Sequence, residues 1–107
     1  MKITTDEIME VNRRLGGSLL SESSLKFAEA HCKNIKSTYK RASIWVRAIL
    51  IDHPFTDANK RTTLYVIRKH VKIKNQIKIE RAIIRIAVKN ITSIKKIEEM
   101  LKNANRQ

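Results

Sequence analysis

The amino-acid sequence predicts an all-α protein folded as a single domain, residues 1–107. Its 107 residues suffice for one hydrophobic core and are too few for two. With only two glycines and one proline the chain has few obligatory turns, which favours long helices. Apolar residues recur at helical spacing along most of the chain, so we expect a bundle of about six helices.

The first helix is predicted from about residue 5 to residue 15. Thr4 and Glu7 have the spacing of a capping box, in which a side-chain oxygen accepts a free amide of the first turn. Apolar residues then recur every three or four positions. Gly16 and Gly17 end the helix, because glycine accepts the left-handed conformation of a helix C-terminus.

Two more helices are predicted before the single proline. Hydroxyls of the serines among residues 21 to 24 can cap a second helix, which begins near Leu25 and gives way to a loop in the polar run 33–40. The stretch 41–52 is apolar on nearly all sides, with Arg47 as the interruption. We therefore expect this third helix to lie at the centre of the core.

A loop and a fourth helix follow. The residue before a proline is driven out of the helical region, so His53-Pro54 opens a loop that we place at residues 53–59. Helical spacing resumes with Leu64, Ile67 and Val71. The loop therefore joins two central helices.

The last third of the chain carries two amphipathic segments. Residues 77–87 have helical spacing, and the alternating isoleucines at 73, 77 and 79 leave a short strand as the alternative near their start. Thr92 and Ser93 offer hydroxyls that can cap a final helix. We expect the tail after Lys102 to fray.

Composition and charge limit the class of protein. Twenty-three Lys and Arg residues against ten Asp and Glu residues give a net charge of +13, which attracts nucleotides, nucleic acid or acidic proteins. The single cysteine, Cys32, and the absence of a zinc-binding spacing fit a reducing cytoplasm. No apolar run approaches the roughly 20 residues of a membrane span, so we expect no membrane partner.

The segment at residues 53–62 collects side chains suited to a phosphate group. Free backbone amides at the start of the following helix, around residues 57 to 61, can bind an anion. Arg61 adds a planar cation that can contact a phosphate through two hydrogen bonds, and Lys60 adds a second positive charge. These residue types predict a site for a nucleotide polyphosphate.

Asp57 and His53 supply the remaining chemistry of this segment. A carboxylate such as Asp57 can hold Mg²⁺ together with the phosphate oxygens of a substrate. Histidine is the side chain that most often accepts a proton from an attacking hydroxyl, which makes His53 the candidate base. Each residue alone has an ordinary structural role available, such as capping the helix, and it is their combination that indicates catalysis.

The segment HPFTDANKRT, residues 53–62, resembles the signature of the Fic/Doc family, whose usual form is HPFxDGNGR. The Ala-Asn-Lys-Arg variant is similar to the Doc, or death on curing, branch. Gly16-Gly17 before a helix, a buried helix upstream of the signature and two trailing helices also recur in Doc-like proteins. The resemblance implies a Fic/Doc-type helical bundle with the signature loop between two central helices.

The resemblance also implies a role for most residues of the signature. His53 is implied as the catalytic base and Asp57 as the ligand of Mg²⁺. Four successive residues are implied to hold the nucleotide phosphates: Ala58, Asn59, Lys60 and Arg61. Three residues are implied to anchor the loop in the core: Pro54, Phe55 and Thr62.

Lys60 indicates which reaction to expect. Typical Fic enzymes have glycine at this position and transfer AMP from ATP, because a bare backbone lets the diphosphate lie close. A lysine obstructs that pose, and in the Doc branch it accompanies an inverted nucleotide that presents its γ-phosphate. The resemblance thus implies a Doc-like toxin that uses Mg²⁺ and transfers the γ-phosphate of ATP, or of another nucleoside triphosphate, to a Ser/Thr hydroxyl of a protein, with elongation factor Tu as the expected target.

Two protein partners follow from the resemblance. Family members clamp the backbone of their target with a hairpin flap upstream of the central helix, which corresponds here to residues 34–40. Toxins of the Doc type are restrained by a separate antitoxin, a disordered segment of which folds onto the toxin. A chain of net charge +13 suits an acidic partner of that kind.

Three alternatives stand beside this interpretation. AMP transfer on the same fold would require Lys60 to swing aside. A family member that binds nucleotide without turnover would carry the same residues. A basic helical protein could instead bind nucleic acid through phosphate contacts of Arg41, Arg47, Arg68, Arg81 and Arg85. The last alternative leaves the signature unexplained, so we do not expect nucleic acid as a partner.

Overall fold

The computed structural model describes residues 2–106, which fold into six α-helices. The helices are Thr5–Arg14 (α1), Ser23–Cys32 (α2), Thr38–Asp52 (α3), Asn59–His70 (α4), Gln76–Val88 (α5) and Ile94–Ala104 (α6). Within residues 2–106 there is no β-strand, and the stretch 73–79 enters α5 without forming one. The predicted all-α class and the number of helices are confirmed.

Helix α3 lies at the centre of the bundle. On one side Trp45 and Ile49 pack into a hydrophobic cluster with residues of α1, α2 and α4. On the other side Val46 and Leu50 pack into a second cluster with α5 and α6. Each fully buried side chain of this size contributes about 1.5 to 3 kcal/mol through removal of apolar surface from water. The prediction that this segment forms the centre of the core is confirmed.

Several helix ends follow the predicted capping chemistry. The hydroxyl of Thr4 accepts the amide of Glu7 at 3.2 Å, and the hydroxyl of Ser93 accepts the amide of Lys96 at 3.2 Å. Gly16, just beyond α1, has φ +97°, a conformation that side chains with a Cβ avoid. These interactions are local in sequence, which is why the sequence predicts them.

The starts of α2 and α3 differ in detail from the predictions. Glu22, not a serine, is the N-cap residue of α2 and its side chain makes no cap bond, but the Ser21 hydroxyl accepts the amide of Ser23, the first residue of the helix, at 3.4 Å. The amides of Leu20 and Ser21 donate to the carbonyl of Pro54 and hold this stretch against the loop. Helix α3 begins at Thr38 and not at residue 41, because Ser37 accepts the amide of Lys40 at 3.2 Å and caps it. Only residues 33–37 of the polar run 33–40 are therefore loop.

The predicted fraying after Lys102 is wrong. Helix α6 continues to Ala104, and the side chain of Asn105 is buried. Its Oδ1 accepts the amide of Lys74 at 2.7 Å, and its Nδ2 donates to the Lys72 carbonyl and the Tyr39 hydroxyl, both at 2.9 Å. One amide thus joins the end of the chain to α3 and to the connection between α4 and α5.

Two further sequence expectations concern Cys32 and the membrane. Cys32 is a free, buried cysteine, and burial raises the pKa of its thiol to about 11. No helix between residues 2 and 106 combines the length and the hydrophobicity that a bilayer span requires.

Replacing Asn105 with alanine is expected to lower the free energy of unfolding by about 1 to 3 kcal/mol, because partly buried backbone groups of Lys72 and Lys74 lose their partner. Urea titration followed by the fluorescence of Trp45, the single tryptophan, measures the change. Asn103→Ala is the matched control, since Asn103 is exposed. Equal effects of the two variants would contradict the role assigned to Asn105.

The stability of the fold is expected to depend on pH through His70. Burial lowers the pKa of this half-buried imidazole, and the carbonyl of Val66 lies 2.8 Å from its Nδ1. Below the ordinary histidine pKa of about 6.5, the unfolded chain therefore binds a proton that the folded chain binds less readily. Stability is then present at neutral pH and is lost as the pH falls.

We expect the free energy of unfolding to decrease between about pH 7.5 and pH 5.5, a window above the range in which carboxylates titrate. His70→Gln keeps a hydrogen-bond donor for the Val66 carbonyl and cannot titrate, so its urea midpoint should change less over the same window. If the His70→Gln variant showed the same pH dependence as the wild type, His70 would not be the cause of the lost stability.

Candidate active site

The loop between α3 and α4 is bounded by two residues in the left-handed conformation. His53 ends α3 with φ 47°, and Ala58 precedes α4 with φ 62°. This conformation costs a residue with a Cβ about 1 to 2 kcal/mol, so surrounding contacts must maintain it. The usual Fic/Doc signature has glycine where this chain has Ala58, in agreement with the left-handed φ at that position.

Three residues of the loop region lie inside the core. Pro54, Phe55 and Thr62 are all buried, and Phe55 belongs to the same hydrophobic cluster as Trp45. The Nδ2 of Asn59 donates to the Phe55 carbonyl at 3.1 Å, which closes the loop on itself. The structure thus places the three predicted anchors beneath the loop.

Asn12 of α1 holds the loop from below, and the sequence did not single it out. Its side chain is fully buried, and its Nδ2 donates to the Asp57 carbonyl at 2.9 Å and to the Thr62 hydroxyl at 3.1 Å. Gly17 lies against both the Asn12 side chain and the Asp57 carbonyl, where a residue with a Cβ does not fit. A Cβ at Gly17 would lie 2.5 Å from the Asp57 carbonyl oxygen and would also collide with the Asn12 side chain. The signal in the sequence was a polar residue on the apolar face of α1.

A short extended segment pairs with the loop from the other side. The amide of Leu20 donates to the Pro54 carbonyl at 2.7 Å, and the amide of Thr56 donates to the Ser18 carbonyl at 2.9 Å. The antiparallel bridge joins Leu19 and Phe55. The backbone next to the loop therefore comes from residues 18–21. So short a pairing leaves no periodic pattern in the sequence.

Above the loop lies an open cleft with a volume of about 250 Å³. Six predicted site residues line it together: His53, Asp57, Ala58, Asn59, Lys60 and Arg61. Leu50, Thr56 and Ala87 complete the lining, and Ala87 is contributed by α5. The catalytic and phosphate-binding candidates thus share one surface, while the three anchors lie below it.

The cleft offers several donors to an anion. No side chain caps α4, and its first backbone hydrogen bond runs from Thr62 to the Ala58 carbonyl at 2.9 Å. The preceding amides of the first turn, at residues 59–61, are therefore free to bind a phosphate oxygen. Lys60 and Arg61 are exposed beside them, and Arg61 also donates to the Leu15 carbonyl at 3.0 Å.

Asp57 is the carboxylate available to a metal ion in this cleft. Its Oδ1 accepts the amide of Ala58 at 2.7 Å, which fixes the carboxylate and leaves its second oxygen for a ligand. Among residues 2–106 no three His, Cys, Asp or Glu side chains come together. A single carboxylate such as Asp57 could hold a divalent cation together with the oxygens of a bound phosphate, an arrangement that is common for Mg²⁺.

Comparisons of the chain with protein-family models, with curated proteins and with solved structures find no match. The Fic/Doc assignment and the roles of the loop residues therefore remain predictions, which rest on the sequence of the loop and on the geometry of the cleft.

The variant Asn12→Leu is expected to lower the free energy of unfolding by about 1 to 3 kcal/mol, because the Asp57 carbonyl and the Thr62 hydroxyl lose their donor. It should also speed hydrogen exchange of the hydrogen-bonded amides of Thr56, Ala58 and Thr62, since the left-handed turn loses its support. Urea titration and amide exchange measure the two effects. In the control Arg14→Ala, which changes an exposed side chain of the same helix, loop exchange should stay at its original rate.

Proposed function

We propose that the protein transfers the γ-phosphate of a nucleoside triphosphate to a Ser or Thr hydroxyl of a target protein, as a Doc-like toxin. The observation that carries the proposal is the cleft, where one histidine, one carboxylate, two cations and an uncapped helix start share a single surface. Phosphoryl transfer depends mainly on positioning and on neutralising charge, and these groups suit both tasks.

The size of the cleft favours the phosphate end of the nucleotide. Pockets that enclose a whole small molecule usually have volumes of about 300 to 1,000 Å³, above the 250 Å³ of the cleft. A second depression of about 310 Å³ is also lined by Lys60 and Arg61. Its other walls include Leu64, Ile83 and Ile84, which offer an apolar surface to a nucleoside. In this arrangement the two cations lie between the nucleoside and the reacting phosphate.

The proposed reaction uses the residues of the cleft as follows. The target hydroxyl forms a bond to the γ-phosphorus while the bond to the oxygen between the β- and γ-phosphates breaks, and a nucleoside diphosphate leaves. His53 accepts the hydroxyl proton. The first-turn amides of α4, Lys60 and Arg61 bind the phosphate oxygens. Mg²⁺ held by Asp57 would neutralise further phosphate charge.

The proposal includes two protein partners. Leu19 and Leu20 are exposed next to the loop, so the segment 18–21 is positioned to meet the polypeptide that carries the target hydroxyl. Elongation factor Tu is the target we would test first, in keeping with the resemblance. An acidic antitoxin would restrain the protein in trans, since the net charge of +13 favours such a partner.

The test is an incubation with Mg²⁺, elongation factor Tu and ATP labelled at either the α- or the γ-phosphate. We expect γ label on the factor, lost in His53→Ala and retained in His31→Ala, which removes another exposed histidine. Loss of His53 should lower the rate by about 10²- to 10⁴-fold. Circular dichroism checks that both variants fold.

AMP transfer, the competing reaction, would attach the α label to the target instead of the γ label. Transfer of α label by the wild type would contradict the kinase proposal and establish AMP transfer. Binding of Mg²⁺ and ATP, measured by calorimetry with the wild type and Arg61→Ala, tests the cleft without a target. Failure of the wild type to bind ATP or any other nucleoside triphosphate in the same assay would exclude both reactions.

A further inference from the structure

A second concave surface lies between α5 and α6, on residues that play no part in the candidate active site. This α5–α6 groove has a volume of about 750 Å³, against about 250 Å³ for the cleft. Its floor is largely apolar and includes Ala82, Ile91, Met100 and Ala104. Methionine adapts its shape to different partners, so such a floor suits an apolar ligand surface.

The rim of the groove is strongly basic. It carries five exposed cations: Lys78, Arg81, Arg85, Lys89 and Lys96. No Asp or Glu lines the groove. The ion pairs formed within residues 2–106 engage Arg13, Arg14, Lys26 and Lys102, so the five rim cations lack a carboxylate partner in the described part of the chain. Their mutual repulsion decreases when an anionic ligand binds between them.

An apolar ridge runs beside this rim on the outer face of α5. Ile77, Ile84 and Val88 are spaced so that they share one side of the helix, opposite the buried residues Ile79 and Ile86. Their exposed fractions are 64%, 50% and 76%. The outer face of a surface helix is usually polar, so neighbouring exposed aliphatic side chains indicate a contact surface.

We propose that the α5–α6 groove, together with the ridge, binds an acidic amphipathic helix of a partner protein. The apolar side of such a helix would cover the floor and the ridge, and its carboxylates would pair with the rim. Helix α5 has 13 residues and is therefore about 20 Å long, which matches a ligand of three to four turns.

Nucleic acid fits this surface less well than an acidic helix. No aromatic side chain lines the groove, so unpaired bases would have nothing to stack on. Phosphates would gain nothing from the apolar floor. Three of the five arginines weighed for nucleic-acid binding are also engaged within the fold, since Arg41, Arg47 and Arg68 donate to Ile35, Thr92 and Gln76.

The proposal is tested with the full chain and a synthetic peptide of about four helical turns that has leucine at every third or fourth position and glutamate between. The comparison peptide has the same composition with its leucines spread around all sides of the helix. Fluorescence anisotropy measures affinity, and amide chemical shifts locate the site. We expect the amphipathic peptide to bind more tightly and to shift amides of α5 and α6.

Paired variants separate the groove from the net charge. Arg81→Ser with Arg85→Ser should weaken peptide binding about tenfold. Lys33→Ser with Lys36→Ser removes the same charge elsewhere and should weaken it less than about twofold. All four residues are exposed, so the fold should persist. Val88→Ser changes a ridge residue that lines neither the cleft nor the depression beside it, and it should also weaken binding.

Three results would overturn the proposal. The two peptides could bind equally well, or the two double variants could lose affinity equally. Either result would leave net charge as the sole cause of peptide binding. A single-stranded oligonucleotide could bind more tightly than the amphipathic peptide and shift the same amides, which would assign the groove to nucleic acid. None of these results depends on the catalytic activity of the cleft.

Discussion

The buried amide of Asn12 holds the loop between α3 and α4 in a conformation that the loop sequence alone does not favour. His53 and Ala58 are both left-handed although neither is glycine, and the intervening residues make few hydrogen bonds among themselves. The two bonds from Asn12 reach the Asp57 carbonyl and the Thr62 hydroxyl, which lie on either side of the turn into α4. Helix α1 is held against α4 by a further bond, from the Tyr65 hydroxyl to the Glu7 carboxylate at 2.5 Å. Burial, and then this bond, raise the pKa of Tyr65 to about 12.

This support determines which groups the loop can present. Because Asn12 binds the Asp57 carbonyl and Phe55 is buried in the core, the side chains of His53 and Asp57 are left at the surface. No side chain caps α4, and the residues of its first turn line the same cleft. The groups that would neutralise a phosphate are therefore positioned by packing below the loop, before any ligand binds.

The positive charge of the chain is divided between different uses. Some arginines bind carbonyls inside the fold, as Arg47 binds Thr92 at 2.8 Å, and these contribute to structure. Lys60 and Arg61 border the cleft, while five other cations surround the groove between α5 and α6. Net charge alone predicts attraction to anions, but it cannot distinguish these three uses. Helix α5 borders both surfaces, since Ala87 lines the cleft and Arg81 lines the groove.

The sequence by itself determined the features that depend on neighbouring residues. The spacing of apolar residues predicted about six helices, Thr4 and Ser93 predicted the caps of the first and the last, and His53-Pro54 predicted the loop before α4. That this loop binds phosphate stays a prediction. The tertiary structure decided the features that join distant parts of the chain. These are the bonds of Asn12 to Asp57, of Ser18 to Thr56 and of Asn105 to Lys72 and Lys74, whose partners lie 31 to 45 residues apart. Helical periodicity records which face of a segment is buried, but a single buried amide or a three-residue pairing repeats nowhere in the sequence. Its partner is known only once the helices have packed.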